Sequence, residues 1–153
     1  GSAIGREIYF LAKKELFKNL FLRVLISSLN SIPVKRGVFD RSALLRAETV
    51  LKNGYGLIFF PEGTRSKTGE LGKGKPGIGM LARKAMVPIL PVYIKNSKGF
   101  LSIPFSSRRL SVSFGPPLTP EKLAGISDDK DGYREIAALV MEEIQKLKDS
   151  LKA

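Results

Sequence analysis

Residues 56–60 (GLIFF) form an uninterrupted apolar run, and the glycine- and lysine-rich sequence PEGTRSKTGELGKGKPG follows at once. A strand that is apolar at every position, instead of alternating with polar residues, is typical of a parallel sheet covered on both faces. Apolar residues with helical spacing come next, over residues 78–85. A buried strand, a loop and a helix in this order predict an α/β fold.

Strands and helices alternate over the rest of the chain in the same way. Further strands are predicted at residues 8–11, 31–36, 88–94 and 110–114, further helices at 14–29, 41–52 and 131–151, and a loop at 96–109. Asp40 is the expected N-cap of helix 41–52, and Asn53 and Gly54 are its expected stop. At 153 residues the chain suits one domain, residues 1–153, with a mostly parallel central sheet flanked by helices.

The helix predicted at residues 14–29 has an apolar face wider than that of an ordinary surface helix. Leu22, Ile26 and Leu29 add to the apolar positions that already have helical spacing. Either the helix is enclosed on several sides or part of it lies against lipid, and the sequence favours burial. Lys18, Asn19 and Arg23 interrupt the stretch, so it falls short of the about 20 apolar residues that span a bilayer.

The composition limits the chemistry and indicates an anionic partner. The chain has no cysteine and no histidine, so we expect no metal and no cofactor. The formal net charge is +12, and residues 65–109 carry ten lysines and arginines against one acid. The partner could be a phosphorylated metabolite, a membrane surface or a nucleic acid, unless the basic face serves solubility alone. Nucleic acid is disfavoured, because no recognition motif and no interleaved exposed aromatics accompany the cations.

The loop after residues 56–60 carries several groups that bind anions. Arg65 offers a planar fork of donors that suits phosphate or carboxylate. Gly63 lets the backbone approach a ligand, and Thr64 adds a hydroxyl. Lys73 and Lys75 lie near the start of the next predicted helix, whose N-terminal amides favour an anion. The carboxyl end of a strand in an α/β sheet is the place where ligands gather, so the loop predicts a phosphate site.

Glu62 does not fit a simple anion site. It could pair with Arg65 and orient it, or it could accept hydrogen bonds from hydroxyl groups of the ligand. A phosphate beside hydroxyls describes a phosphorylated polyol such as glycerol phosphate. The alternative is a charged loop in which Glu62 and Arg65 form an ordinary ion pair.

Within this loop, FPEGTRSKTGEL (residues 60–71) closely resembles the signature block of the glycerolipid acyltransferases, the PlsC-like 1-acylglycerol-3-phosphate acyltransferases. Other blocks of that family are similar, in order and approximate spacing, to FLAKKELF (10–17), SIPVKR (31–36), GKPG (74–77), VPILPV (87–92) and SFGPPL (113–118). The resemblance covers most of residues 6–120. It implies transfer of an acyl group from acyl-CoA or acyl carrier protein to the hydroxyl of lysophosphatidic acid or a related acyl-glycerol phosphate. It also implies an acceptor-phosphate site formed by Arg36, Glu62, Gly63, Thr64, Arg65 and Lys75.

One block of the family is missing from the chain. In the family, the histidine of an H-x-x-x-x-D block removes the proton of the acceptor hydroxyl, whereas this chain has no histidine. The block would fall immediately before Gly1. We therefore expect an N-terminally truncated domain that has no catalytic residue of its own and is inactive as it stands.

The same resemblance implies a location at the cytoplasmic face of the membrane. We expect peripheral binding to an anionic membrane surface, or attachment through a segment ahead of Gly1. The alternative function is a non-catalytic module that binds lipid phosphates or membranes with the same loop.

Overall fold

The computed structural model describes residues 5–18, 20–35, 40–63, 70–96 and 110–151. The strands are β1 (Ile8–Lys13), β2 (Ser31–Val34), β3 (Gly56–Ile58), β4 (Val92–Lys95) and β5 (Ser111–Phe114). The helices are α1 (Leu20–Ser27), α2 (Arg41–Lys52), α3 (Gly77–Ala85), α4 (Pro120–Leu123) and α5 (Lys130–Ser150), and a 3-10 helix spans Lys14–Lys18. The loop predicted at 96–109 lies, from residue 97 on, outside the described residues.

The α/β prediction is confirmed, and the strands form two sheets. β1, β2 and β3 form a parallel sheet in the order β2-β1-β3, with Phe10 opposite Ser31 on one side and Ile58 on the other. β4 and β5 form a separate antiparallel pair. Pro91, which has no N–H to donate, precedes β4, and its carbonyl accepts a hydrogen bond from the Gly115 N–H at 2.9 Å.

Among the described residues, helices α2 and α3 pack on one face of the parallel sheet. A cluster formed by Ile32, Leu44, Ala47 and Leu81 packs α2 and α3 against that face. Ile58 is 49% exposed, so the prediction that residues 56–60 are covered on both faces was wrong for the part of the chain that the structure describes. Apolarity predicts that a residue can be buried, but it does not say which element buries it.

The segment 14–29 also departs from its prediction. It is divided between the 3-10 helix and α1, and several of its apolar side chains are exposed rather than enclosed. Leu20 is 75% exposed, and Leu16, Val24, Leu25 and Leu29 are exposed as well. The predicted burial was therefore wrong for these residues, and an apolar stripe lies open on this side of the molecule.

The N-terminus of α2 is organised by Asp40, as the sequence predicted. One carboxylate oxygen accepts from the Ala43 N–H (3.1 Å) and the Ser42 hydroxyl (2.8 Å), and the other accepts from the Lys35 N–H (2.9 Å). These hydrogen bonds, led by the one from Lys35, lower the pKa of Asp40 from 3.8 to about 2. The carboxylate thus joins the end of β2 to the start of α2.

We expect Asp40→Ala to reduce the free energy of unfolding by about 1 kcal/mol at neutral pH, the usual value of an N-cap. Because the folded pKa is depressed, the contribution is complete above pH 3.8 and is lost as the pH falls through about 2. Urea unfolding of both proteins between pH 2 and pH 7 measures the difference. Asp40→Asn is the control, since asparagine also caps helices. An equal loss at pH 2 and pH 7 would contradict the assignment.

Candidate functional site

The loop that follows β3 begins with a tight turn at Gly63. The Gly63 N–H donates to the carbonyl of Phe60 (3.0 Å), and the Lys75 N–H donates to the carbonyl of Pro61 (2.8 Å). Gly63 has a φ of +68°, in the left-handed region that glycine enters without steric cost. The first hydrogen bond closes the turn, and the second brings the end of the loop to its start at the carboxyl end of β3.

Lys75 lies across the backbone of Gly63. A Cβ atom added to Gly63 would lie 3.1 Å from Cδ, 3.2 Å from Nζ and 3.3 Å from Cε of Lys75. Among the described residues, the Lys75 ammonium has no hydrogen-bond or ion-pair partner. A side chain at position 63 would displace Lys75, so the glycine places an available cation at this turn.

Glu62 makes a hydrogen bond within the loop that the sequence did not predict. Its Oε2 accepts a hydrogen bond from the Gly72 N–H at 2.9 Å. A Cβ atom added to Gly72 would lie 2.9 Å from the same oxygen, which explains a glycine at that position. Glu62 therefore links the first part of the loop, residues 61–63, to its last part, residues 70–75. Whether Arg65 also contacts it falls outside the described residues.

Helix α5 packs against the last part of this loop, residues 70–75. A Cβ atom added to Gly74 would lie 2.8 Å from the carbonyl oxygen of Ala137 and 2.9 Å from Cγ of Met141. Lys148, whose side chain is 7% exposed, donates a hydrogen bond to the carboxylate of Glu70. That bond raises the pKa of Lys148. The support holds residues 70–74 close to the body of the protein.

The sequence analysis missed the role of Lys148. Ile136, Val140 and Ile144 follow each other at intervals of four residues on the buried side of α5, and Lys148 is the next member of that series. A lysine on a buried stripe requires a partner for its charge. The spacing could thus have marked Lys148 as a paired residue, although it could not identify Glu70, 78 residues away.

Helix α3 begins directly after the loop. Pro76 is its N-cap and makes no side-chain capping hydrogen bond. The amides of the first turn therefore keep the weak positive potential of a helix N-terminus close to Lys75. The contribution of the helix start to an anion site stays a prediction.

The structure brings together three of the six predicted site residues, namely Glu62, Gly63 and Lys75. Arg36, Thr64 and Arg65 lie outside the described residues. Within the described ranges, no group of His, Cys, Asp and Glu side chains is arranged to hold a metal ion. No helix in those ranges is long and apolar enough to cross a membrane.

The structure is that of an α/β protein with a glycine- and lysine-rich loop at the carboxyl end of a parallel strand. The Acyltransferase family model matches residues 2–95, which is more than half of the chain. The chain therefore belongs to the acyltransferase family, and the resemblance found in its signature block is confirmed.

The similar proteins are 1-acyl-sn-glycerol-3-phosphate acyltransferases. One from Streptococcus pneumoniae is 28% identical over 96% of this chain and 53% of its own length. A chloroplastic one from Brassica napus is 36% identical over 59% of this chain and 27% of its own length. The crystal structure of the Thermotoga maritima 1-acyl-sn-glycerophosphate acyltransferase PlsC matches with a TM-score of 0.70 and 32% identity, over 95% of this chain and 57% of that one. This chain thus spans between about a quarter and just over half of the length of these relatives.

Proposed function

We propose that the protein transfers a fatty acyl group from a thioester donor to the hydroxyl of lysophosphatidic acid, giving phosphatidic acid for phospholipid biosynthesis. The donor is acyl-CoA or acyl carrier protein. The observation that carries the proposal is the unpaired Lys75 ammonium lying over Gly63, beside Glu62 and the start of α3, among the residues that the structure describes. A cation at a strand end, with helix amides beside it, suits the phosphate of such an acceptor.

In this proposal the loop orients the acceptor. Lys75 and the first amides of α3 hold the phosphate, and Arg36, Thr64 and Arg65 join them. Holding the phosphate fixes the hydroxyl relative to the thioester, which lowers the entropic part of the barrier. The hydroxyl oxygen then bonds to the acyl carbon, the carbon–sulfur bond breaks, and the hydroxyl proton passes through a base to the leaving thiolate.

The base in this scheme is the family's histidine, which the 153 residues do not contain. Glu62 is not assigned this role, because one of its carboxylate oxygens already accepts a hydrogen bond from the Gly72 N–H. No described residue is therefore proposed as catalytic. The chain is proposed to bind the acceptor and to depend on an H-x-x-x-x-D block for chemistry.

We further propose that the protein sits on an anionic membrane surface, at its cytoplasmic face. Leu20 and Val24 lie four residues apart on α1, and both are more than half exposed. Lys18 and Arg23 are exposed close by in the chain, and the net charge is +12. Exposed apolar side chains beside cations are typical of surfaces that bind anionic lipid. Nucleic acid is not a proposed partner.

Replacing Lys75 with alanine tests the acceptor site. A charged hydrogen bond to phosphate contributes about 1.5–3 kcal/mol, so we expect a loss of affinity of about tenfold or more for a short-chain lysophosphatidic acid. Titration calorimetry on the 153-residue chain measures this without any turnover. Lys73→Ala is the matched comparison, because the sequence places both lysines near the helix start, Lys73 is exposed, and the structure places Lys75 against Gly63. Equal affinities of the Lys75 and Lys73 variants would remove Lys75 from the site.

A further inference from the structure

A second cationic cleft lies at the carboxyl ends of β1 and β2. Its volume is about 260 Å³. Its lining comes from the 3-10 helix, from β2 and the residue after it, and from the first two turns of α2: Lys14, Pro33, Lys35, Asp40, Ser42 and Arg46. Three separate segments thus contribute one cation each to one concave surface.

The three cations of this cleft are available to a ligand. Within the described part of the chain, the side chains of Lys14, Lys35 and Arg46 make no hydrogen bond or ion pair, although the charge of Lys35 acts on Asp40 and helps to lower its pKa. The one carboxylate, Asp40, already accepts hydrogen bonds from Ala43, Ser42 and Lys35 through its two oxygens. Positive charge therefore exceeds negative charge in the cleft, and the Asp40 oxygens are turned to the protein.

The cleft and the Lys75 loop are separate features of the same sheet edge. The strand order β2-β1-β3 places the cleft over β1 and β2, whereas the loop follows β3. None of the described residues of the loop lines the cleft. The carboxyl edge of a parallel sheet is where ligands of α/β proteins bind, so both features occupy a favourable position.

The size and charge of the cleft limit the ligand. At about 260 Å³ it is smaller than the roughly 300–1,000 Å³ of pockets that enclose a drug-sized ligand, so it suits one end of a molecule. Two ammonium groups and a guanidinium fork complement a group with several anionic oxygens, such as a phosphate ester. Residues 36–39, between Lys35 and Asp40, lie outside the described residues and form no part of the proposed site.

We propose that this cleft is a second phosphate-binding site, distinct from the acceptor site at Lys75. The phosphate belongs either to a nucleotide, as in the phosphorylated end of a coenzyme A thioester, or to the headgroup of an anionic lipid. Both sources present the same chemistry to Lys14, Lys35 and Arg46. The nucleotide source rests on the proposed acyl-CoA donor. Lys14, Lys35 and Arg46 are not among the residues assigned to the acceptor, although Arg36 of the proposed acceptor site directly follows Lys35 in the chain.

The test replaces Arg46 with alanine in the full 153-residue chain. Arg41→Ala is the matched control, because Arg41 is exposed on the same helix and lies about 140° around it from Arg46 at about 100° per residue. Calorimetry measures the affinity for adenosine 3′,5′-bisphosphate, which represents the nucleotide. Co-sedimentation measures the affinity for phosphatidylglycerol vesicles, which represent the anionic lipid. Lys35→Ala is a second variant that removes a cation from a different segment.

We expect Arg46→Ala and Lys35→Ala to weaken one of the two probes by about fivefold to tenfold, and Arg41→Ala to change it less than about twofold. The probe that weakens identifies the source of the phosphate. Affinity for short-chain lysophosphatidic acid should fall with Lys75→Ala and stay unchanged with Arg46→Ala. If Arg46→Ala matches Arg41→Ala for both probes, the cleft is a solvated basic surface and the proposal fails. If Arg46→Ala weakens lysophosphatidic acid as much as Lys75→Ala does, the cleft is part of the acceptor site and the claim of a second site fails.

Discussion

We expect no measurable acyl transfer from the 153-residue chain, and turnover from a longer form that carries an H-x-x-x-x-D block ahead of residue 1. An alcohol is a poor nucleophile until a positioned base removes its proton, and a general base typically contributes about 10²–10⁴-fold. The 153 residues contain no histidine, and Glu62 is engaged with Gly72. The assay follows release of the free thiol of coenzyme A with lysophosphatidic acid as acceptor.

Two controls make this comparison decisive. Changing the histidine of the longer form to alanine should return the rate to that of the 153-residue chain, while binding of short-chain lysophosphatidic acid persists. Turnover by the 153-residue chain itself would refute the assigned chemistry. A longer form that binds the acceptor through Lys75 but never turns over would favour the alternative, a non-catalytic lipid-phosphate module.

The second large effect is expected at the apolar stripe of α1. Changing Leu20 and Val24 together to serine should weaken binding to phosphatidylglycerol vesicles by about 100-fold or more. Each large apolar side chain contributes about 1.5–3 kcal/mol when it leaves water, and about 1.4 kcal/mol is a factor of ten in affinity. Both side chains are more than half exposed, so the folded chain should keep its stability in this variant. Vesicle co-sedimentation gives the affinity, and thermal unfolding checks the fold.

The control for this variant is a pair of equally exposed apolar residues elsewhere. Met86 is 61% exposed and Leu90 is 52% exposed, and neither lies on α1. Changing both to serine should leave vesicle binding within about twofold, because the proposal assigns the apolar contact with lipid to the exposed face of α1. Unchanged binding of the Leu20 and Val24 variant would show that lipid does not contact this stripe. The exposed leucines would then have to be explained as a contact with another part of a longer protein.

Elements whose signals are local were predicted well. Helix α2 spans Arg41–Lys52, with Asp40 as its N-cap and Asn53 as its C-cap, as the sequence indicated. The cap hydrogen bonds join residues two to five positions apart, so the sequence contains all the groups that make them. Helix α3 begins at Gly77, one residue before its predicted start.

Burial was predicted less well, because it depends on what packs against each side chain. Ile58 and Leu20 are as apolar as the core residues Ile32 and Leu44, yet the first two are exposed and the last two are buried. The sequence shows no difference between the two pairs. The placement of α2 and α3 on one face of the parallel sheet decides which of them leave water.

For the loop after β3, too, the local features were predictable from the sequence and the long-range contacts were not. The types and order of Glu62, Gly63 and Lys75 predict an anion-binding loop at a strand end, and anion binding stays a prediction. The structure shows the left-handed turn at Gly63, which glycine adopts without steric cost. The contacts that shape the loop were not predictable. Glu62 accepts a hydrogen bond from the Gly72 N–H, and Lys148 on α5 donates one to Glu70, 78 residues away in the chain.

The sequence by itself determined the α/β class, the caps of α2 and the family, and it predicted an anion-binding loop. Each of these follows from residue types within a short stretch of chain, where backbone propensity and hydrogen-bonding groups act locally. Only the tertiary structure decided that Lys75 lies over Gly63, that α5 supports the loop through Gly74, and that a second cleft gathers cations from three segments. Such arrangements are set by the packing of residues far apart in sequence, and the free energy of that packing depends on the whole fold.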